Sequence, residues 1–351
     1  MFDTLVIGAG QAGLAASYYL KQAGLQFAVL EAGAVPTGSW PQYYEHLQLF
    51  SPARFSSLSG FLFPGPPDRY PLRNEVSAYL QSYAQFLQVP VLYHQEVSRV
   101  EQVETGFQVV SATGEQYKAR TIIAATGSFR QPVLPQFAGQ DTFQGKILHS
   151  SAYRRPDPFA GQRALVVGAG NSAVQIGVEL ARSARVTLTS RRPIQFLPQR
   201  PLGRDIHFWM WLLGLDHFPL SGRRQRTKSN PVLDTGRYQS AITAGQPDWR
   251  PLFECLTPEG VMWTHGKVEP VDSIIVATGY HFQPDYLAGL GAWTTQGQVL
   301  QQSGRSLTVP GLFYVGLSFQ RTYASATLRG VGPDAMLVVR QIRYALKSTS
   351  K

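Results

Sequence analysis

The feature that most constrains the fold is a strand, glycine-turn, helix pattern that occurs twice, at the N-terminus and again in mid-chain. The first copy, residues 5–16, reads LVIGAGQAGLAA. Its first glycine permits a tight turn, its second lets backbone N–H groups approach a pyrophosphate, and its third lets the helix pack closely on the strand. The candidate phosphate-binding residues of this copy are Gly8, Gly10, Gln11, Ala12 and Gly13.

An acidic residue completes the first copy. After the predicted helix, a second apolar stretch at residues 27–30 ends at Glu31. A carboxylate at this position accepts hydrogen bonds from the hydroxyl groups of a ribose. Strand, turn, helix, second strand and acid in this order are far more specific than the glycine pattern alone. The first copy therefore predicts an FAD site.

The second copy, residues 164–173, reads ALVVGAGNSA, with Ala173 in place of the third glycine, which is a permitted variant. A predicted helix runs to about Arg182, and a strand follows at residues 186–190. The candidate pyrophosphate-binding residues are Gly168, Gly170, Asn171 and Ser172.

A basic pair distinguishes the two copies. Glu31 lies 23 residues after Gly8, and the same count from Gly168 reaches Arg191, which Arg192 follows. Arginine binds a 2′-phosphate through two hydrogen bonds, whereas a carboxylate would repel it. The second copy therefore predicts NADPH in preference to NADH. The alternative is that both arginines are ordinary surface charges at the end of a strand.

Two further apolar strands end in Ala-Thr-Gly, at residues 121–127 and 273–279, and bracket the second copy. Their glycines, Gly127 and Gly279, are candidate cofactor-binding residues at crossings between domains. The predicted fold class is α/β, with two Rossmann-like dinucleotide-binding domains and the NADPH domain inserted into a discontinuous FAD domain. We expect the FAD domain at 1–155 and 279–351, and the NADPH domain at 156–278.

Composition agrees with two globular domains, because 351 residues exceed what one core normally holds. The longest apolar stretch, 206–215, is too short to cross a bilayer. An apolar strand begins within a few residues of Met1, which leaves no room for a signal peptide, so a cytoplasmic protein is expected. Cys255 is the single cysteine, which excludes an internal disulfide, a CxxC pair or a cysteine zinc cluster.

The chain carries 32 lysine and arginine residues against 22 acidic ones. The basic residues form no single block, so no nucleic-acid partner is expected, and the cluster at 223–228 is interpreted as a solvated loop. The stretch 206–215 is unusually aromatic. It could be a substrate-entry lid, a membrane-surface contact, a homodimer contact or an ordinary packed helix.

Between the two copies, residues 143–153 read FQGKILHSSAY, which has the form FxGxxxHxxxY. With two nucleotide motifs flanking this fingerprint, the chain resembles the class B flavin-dependent monooxygenases over nearly its whole length. The tyrosine at the end is closer to the flavin-containing monooxygenases than to the Baeyer–Villiger type. Residues 49–58 and 325–332 are similar to the short bacterial members associated with cation-efflux systems.

The resemblance implies roles for the candidate residues. Those of the first copy would bind the ADP part of FAD, and those of the second copy the NADPH pyrophosphate and 2′-phosphate. Residues 38–40 match the family's turn next to the flavin, which adds Ser39 and Trp40 to the FAD site. His149, the candidate catalytic residue, would orient the linker and couple NADPH binding to flavin chemistry and would not act as a general base. A purely structural histidine is the alternative.

The implied reaction is reduction of FAD by NADPH, followed by formation of a C4a-(hydro)peroxyflavin with O₂. One oxygen atom would then pass to a small sulfide, amine or ketone. Two alternatives remain: an NADPH oxidase or reductase that passes electrons to O₂ or another acceptor, and a non-catalytic redox sensor of an efflux or stress system. The partners expected are thus O₂ and a small-molecule substrate.

The chain departs from its relatives in two places. No asparagine occurs between Pro41 and Arg73, where many flavin-containing monooxygenases carry one near the flavin, so oxygen activation is expected to differ or to leak. Leu317 and Ser318 stand where disulfide-reductase relatives have an aspartate. Together with the missing cysteine pair, this argues against the reductase branch.

Overall fold

The computed structural model describes residues 1–218, 231–294 and 297–348, so the basic cluster at 223–228 lies outside the described residues. The strands are β1 (Phe2–Ile7), β2 (Phe27–Leu30), β3 (Val91–Leu92), β4 (Val97–Val103), β5 (Gly106–Ser111), β6 (Gln116–Ala124), β7 (Lys146–His149), β8 (Arg163–Val167), β9 (Arg185–Ser190), β10 (Phe196–Pro198), β11 (Val232–Asp234), β12 (Asp248–Pro251), β13 (Cys255–Thr257), β14 (Gly260–Met262), β15 (Val268–Pro270), β16 (Ser273–Val276), β17 (Gln301–Gln302), β18 (Arg305–Ser306) and β19 (Leu312–Tyr314). The α-helices are α1 (Gln11–Gln22), α2 (Arg73–Leu87), α3 (Asn171–Leu180), α4 (Ile206–Leu212), α5 (Arg237–Thr243) and α6 (Leu328–Ser348).

The first sheet contains nine strands within the described ranges, in the order β17-β18-β19-β6-β1-β2-β3. β1 pairs in parallel with β2 and β6, and β6 pairs in parallel with β19. The antiparallel hairpin of β4 and β5 joins the edge of β6 through β5. The central strands read as continuous apolar runs because both faces of the sheet are covered.

Two apolar cores lie on the two faces of this sheet. On one face, side chains of α1, α2 and α6 pack around Val6 and Ile123. On the other, Leu5 and Ile122 pack with side chains of the β4–β5 hairpin and with Tyr286 and Leu287. Because α6 lies directly against α1, the C-terminal part of the chain belongs to the same unit as the first glycine turn. We call this the first unit.

The second sheet is parallel throughout, with the strand order β12-β9-β8-β16-β7. Helix α3 follows β8 and packs on this sheet. A three-stranded antiparallel sheet, β13-β14-β15, covers the other face. We call this assembly the second unit. The α/β prediction with two Rossmann-like units is confirmed.

The two crossings between the units run side by side. The Val133 N–H donates to the Gly279 carbonyl at 2.9 Å, and the His281 N–H donates to the Gln131 carbonyl at 3.1 Å. Strand β7 already pairs with β16 in the second sheet, and Phe143 packs in the core of that unit. The division at residue 155 stays a proposal, and these contacts favour an earlier crossing, near residues 131–133.

The aromatic stretch 206–215 forms α4 and the turn after it. The Asp205 carboxylate caps α4 by accepting the His207 N–H at 2.9 Å, and the His207 ring stacks on Phe50 and Phe55 of the first unit. The outer face stays exposed, with Trp211 at 61% and Leu213 at 62% of their full accessibility. Among the described residues, no helix is long and apolar enough to cross a membrane.

Candidate functional site

The first glycine turn is built by close backbone contacts. Gly8 adopts φ +100° and donates its N–H to the Leu30 carbonyl at 2.8 Å. A Cβ on Gly13 would lie 1.8 Å from the Gly8 carbonyl oxygen, and a Cβ on Gly38 would lie 2.9 Å from Gly10 Cα. Side chains at Gly13 and Gly38 would push the helix away from the strand and the turn at Gly38 away from Gly10, so both glycines are required by close approach.

The first turn of α1 is left open for an anion. Gly10 is its N-cap residue, and within the described part of the chain no side chain caps α1 and no acidic residue lies in its first turn. By contrast, Glu75 closes the start of α2 by accepting the Leu72 N–H at 2.8 Å. The N–H groups at Gln11 and Ala12 therefore remain available to phosphate oxygens.

Glu31 is held in place at the end of β2. Its side chain is 9% exposed, and its two carboxylate oxygens accept the Ala9 N–H at 2.6 Å and the Gly33 N–H at 2.8 Å. Each carboxylate oxygen has a second lone-pair direction for another donor. The carboxylate is thus oriented beside the glycine turn, as a ribose-binding group must be.

Gln11 connects three parts of the first unit. Its amide nitrogen donates to the Ala326 carbonyl at 2.6 Å, and its amide oxygen accepts the Trp40 indole N–H at 3.2 Å. Ser39 is the N-cap of the short 3₁₀ helix Trp40–Gln42, without a side-chain capping bond. The turn at residues 38–40 and the segment before α6 are therefore both fixed to the start of α1.

The second glycine turn repeats this construction. Gly168 has φ +151°, and a Cβ there would lie 2.5 Å from the Ala277 carbonyl oxygen. A Cβ on Gly170, the N-cap of α3, would have no atom within 4 Å from the rest of the described chain, apart from its neighbours in sequence and its own helix. Over the described ranges, α3 also lacks a side-chain cap and a first-turn acid, so Asn171 and Ser172 begin a helix open to phosphate.

The register of the second copy differs from the sequence count by one residue. The Gly8 N–H donates to the Leu30 carbonyl, and the matching Gly168 N–H donates to the Thr189 carbonyl at 2.9 Å. Ser190, not Arg191, therefore takes the position of Glu31, because the path from the second turn back to its neighbouring strand is one residue shorter. The Ser190 hydroxyl donates to the Arg192 carbonyl at 2.7 Å and shapes the turn.

Arg191 and Arg192 follow at the same edge of the second sheet as the Gly168 turn. Both side chains are exposed, and neither forms an ion pair with any residue that the structure describes. Exposed guanidinium groups without a carboxylate partner suit a phosphate ligand. Their role in binding the 2′-phosphate stays a prediction.

His149 ends β7 and lies 5% exposed between the two crossings. The Ser151 N–H donates to its Nδ1 at 3.1 Å, which places the ring proton on Nε2, 3.1 Å from the Gly279 carbonyl oxygen. Burial lowers the pKa of His149, which keeps the ring neutral. Both ring nitrogens are thus engaged, and this histidine ties β7 to the glycine turn after β16.

Gly127 and Gly279 follow β6 and β16 at matching positions, with φ +66° and +88°. Apart from their chain neighbours, no atom of the described residues lies within 4 Å of a Cβ at either glycine. Their positive φ angles are the conformational reason for glycine here, because other residues adopt them at a cost. The open space beside them leaves room for a ligand, and their cofactor contacts stay predictions.

A chain of ring contacts joins the two units. Measured between ring centroids, Trp40 lies 5.7 Å from Tyr43, and Tyr43 lies 4.5 Å from Phe129. Phe129 in turn stacks on Tyr280 at 5.2 Å, and Tyr280 contacts the His149 ring edge-on at 5.0 Å. Burial raises the pKa of both tyrosines, so their phenols stay protonated. Sequence reasoning missed Tyr43, Phe129 and Tyr280. The sequence did carry a signal for two of them, because Phe129 and Tyr280 each follow an Ala-Thr-Gly turn by one or two residues.

Comparison with known proteins agrees with this geometry. Residues 5–202 match the family described as pyridine nucleotide-disulphide oxidoreductase. The chain belongs to this family. A flavin-containing monooxygenase from Stenotrophomonas maltophilia superposes with a TM-score of 0.86 at 35% identity, over 98% of each chain. A CzcO-like oxidoreductase of Geobacillus kaustophilus is 32% identical over 97% of this chain and 98% of its own length.

A more distant relative is an indole-3-pyruvate monooxygenase of Oryza sativa subsp. japonica, 28% identical over 96% of this chain and 86% of its own length. Within its family the chain is a flavin-dependent monooxygenase of class B type, as the fingerprint at residues 143–153 predicted. FAD and NADPH are the cofactors of this group. The residues present fit these two cofactors. Two helices begin directly after glycine turns without a side-chain cap in the described structure. The first lies beside the buried carboxylate of Glu31, and the second lies near Arg191 and Arg192, which form no ion pair with a described residue.

Proposed function

We propose that this enzyme takes hydride from NADPH and transfers one oxygen atom of O₂ to a small organic substrate, a sulfide, an amine or a ketone, while the other oxygen atom leaves as water. The observation that supports it is the chain of rings from Trp40 to His149, which links the two glycine-turn units by uncharged aromatic surface. Such a surface suits an apolar substrate. When bound, FAD supplies the redox chemistry: it accepts the hydride and activates O₂.

In this proposal the protein binds, orients and excludes water. The α1 and α3 turns hold the two pyrophosphates, Glu31 holds a ribose, and Arg191 with Arg192 hold the 2′-phosphate. The protonated phenols of Tyr43 and Tyr280 and the ring of Phe129 form a wall without charge. A wall of this kind keeps bulk water and stray protons from the reacting oxygen, which would otherwise leave as hydrogen peroxide.

His149 has a positioning role in the proposal. Its neutral ring donates from Nε2 to Gly279 and accepts at Nδ1, so neither nitrogen is available as a base. It keeps the turn at Gly279 against β7, where the second crossing enters the first unit. The reaction needs no further acid–base residue from this chain.

The test is rapid-mixing absorbance of the purified flavoprotein, reduced with NADPH under anaerobic conditions and then mixed with O₂. We expect NADPH to bleach the flavin. On oxygen we expect a transient species, distinct from oxidised and reduced flavin, that decays faster when a sulfide, amine or ketone is present. The oxygenated product should then match the NADPH consumed.

A second function, NADPH oxidase, is favoured by one observation: no asparagine occurs between Pro41 and Arg73. Direct return to oxidised flavin, with one hydrogen peroxide per NADPH, would establish the oxidase instead. Failure of NADPH to bleach the flavin would exclude both and leave the redox sensor.

We also propose a homodimer that buries the exposed face of α4, while a cytoplasmic location stays a prediction.

A further inference from the structure

Residues 38–48, here called the linking segment, run from the flavin turn of the first unit to α3 of the second. At one end, Gly38 lies against Gly10, and Trp40 donates to Gln11. At the other end, the Tyr44 hydroxyl donates to the Gln175 side-chain oxygen in α3 at 2.8 Å. The segment therefore touches both glycine-turn helices.

Tyr44 is placed for more than packing. It is 3% exposed, although it belongs to a surface segment, and it inserts among the core residues of the second unit. Burial raises the pKa of Tyr44, while a hydrogen bond from the Ser172 side chain lowers it, so the phenol stays protonated and able to donate. Tyr44 thus contacts α3 at Gln175, one turn after the first residues of the helix.

Neighbouring contacts hold the same end. The Glu45 N–H donates to the Arg154 carbonyl at 2.8 Å, and His46 bonds the Glu179 carboxylate at the far end of α3. The ion pair at His46 is largely exposed and contributes little. The Tyr44 hydrogen bond is the stronger constraint, because the Tyr44 ring is held in the core of the second unit and its hydroxyl is thereby fixed on Gln175.

We propose that the Tyr44–Gln175 hydrogen bond is a positioning contact that holds the phosphate-binding turn of α3 in register with the flavin turn at Gly38 to Trp40. Nucleotide that binds to α3 therefore changes the surroundings of the flavin, and the distance between nicotinamide and flavin is fixed for hydride transfer. The inference rests on the proposed function, since it requires NADPH on α3 and FAD on α1. Tyr44 and Gln175 are positioning residues and touch no reacting atom.

The test uses the FAD-loaded enzyme and the conservative variant Tyr44→Phe. NADP⁺ titrated into the oxidised wild type should give a flavin difference spectrum. In Tyr44→Phe the amplitude should fall to less than about half and flavin reduction at saturating NADPH should slow about tenfold, since small misplacements cost that much in rate. NADP⁺ affinity by calorimetry and FAD content should change little, because the phosphate contacts stay.

Tyr153→Phe is the matched control. Tyr153 is also buried and also donates to α3, at Glu179 at 3.0 Å, but it lies in the chain after β7 and does not belong to the linking segment. The Tyr153→Phe variant should leave the flavin difference spectrum and the rate of flavin reduction unchanged. Gln175→Met should reproduce the Tyr44→Phe signature, since both variants remove the Tyr44–Gln175 hydrogen bond. Gln175→Met also removes the long, exposed hydrogen bond from the Gln175 amide to the Gln48 carbonyl at 3.4 Å, so the double variant should match Gln175→Met and add nothing further.

Two results would be decisive against the inference. Wild-type behaviour of Tyr44→Phe and Gln175→Met would overturn it, and so would equal losses in Tyr153→Phe, which would indicate general destabilisation of α3. A wild type that gives neither a difference spectrum nor reduction by NADPH would instead overturn the proposed function, and the two failures are thereby distinguished.

Discussion

At the scale of single residues, Glu31 makes a direct prediction about FAD. Its carboxylate accepts two backbone N–H groups beside the glycine turn. Glu31→Gln keeps the shape but replaces one accepting oxygen by a donor. We expect FAD to bind about 10- to 100-fold more weakly, since hydrogen bonds to charged groups are worth about 1.5–3 kcal/mol. Titration of the apoprotein with FAD measures this affinity. As a control, Glu104→Gln, at an exposed residue, should bind FAD as the wild type does.

Arg191 makes the prediction about nucleotide choice. Arg191→Ala should raise the KM for NADPH about 10- to 100-fold through loss of a phosphate contact, with little change for NADH. Arg185→Ala is the control, because Arg185 lies exposed at the opposite end of the same strand, β9. Steady-state kinetics with both nucleotides decide it. Equal losses for NADH and NADPH would contradict a 2′-phosphate role.

His149 makes a prediction about pH. Burial lowers its pKa from 6.5, so the unfolded chain binds more protons than the folded one just below that pH. This part of the stability is complete above pH 6.5 and is lost as the pH falls. The difference in free energy of unfolding between the wild type and His149→Gln should therefore shrink as the pH falls from 7.5 to 5.5. Urea unfolding at several pH values checks this, and parallel curves would refute it.

At the scale of elements, the two glycine turns separate packing from binding. Gly13→Ala places a methyl 1.8 Å from the Gly8 carbonyl oxygen and should lower the free energy of unfolding by about 3 kcal/mol or more. The methyl of Gly170→Ala would meet no non-neighbouring atom within 4 Å in the part of the chain that the structure describes, and the change should alter the free energy of unfolding by less than about 0.5 kcal/mol.

The added methyl of Gly170→Ala nevertheless stands where the pyrophosphate approaches the backbone, so NADP⁺ binding should weaken. Urea unfolding and calorimetry with NADP⁺ measure the two effects on each variant. A Gly13→Ala protein as stable as the wild type, or a Gly170→Ala protein with unchanged affinity, would show that the turns are built differently.

Local elements were predictable where the signal is local. Each glycine turn, its strand and its helix follow from residues adjacent in sequence, and the structure has them where they were expected. The position of Ser190 was not predictable, because a count assumes equal connections and the second copy is one residue shorter. The ring contact of Phe129 with Tyr280 was also missed, because it joins residues distant in sequence. The β4–β5 hairpin was missed although its two strands are adjacent in the chain.

At the scale of the whole molecule, we expect a dimer. Trp211, Leu213 and Phe218 expose 61%, 62% and 67% of their accessible surface close together in the chain. An apolar group of this kind is typical of a contact surface. Leu213→Asp should convert the dimer to a monomer in size-exclusion chromatography with light scattering. Leu62→Asp, at a residue 84% exposed in the first unit, should leave it dimeric. A monomeric wild type would exclude the proposal.

The candidate site belongs to neither unit alone. Trp40 and Tyr43 come from the first unit, His149 comes from β7 of the second, and Phe129 and Tyr280 lie near the crossings. Sequence motifs identified each unit, but which side chains meet between them depends on how the chain returns to the first sheet. This is why the residues that surround a substrate were the least predictable part of the enzyme.

The side-by-side crossings at Gln131–Val133 and Gly279–His281 have a consequence for engineering. Since the chain leaves and re-enters the first unit at neighbouring points, the stretch between them behaves as a cassette with both ends together. We expect that a relative's nicotinamide-binding cassette can be grafted at these two points without a change in chain path. Electron-donor preference could then be exchanged separately from the flavin and its oxygen chemistry.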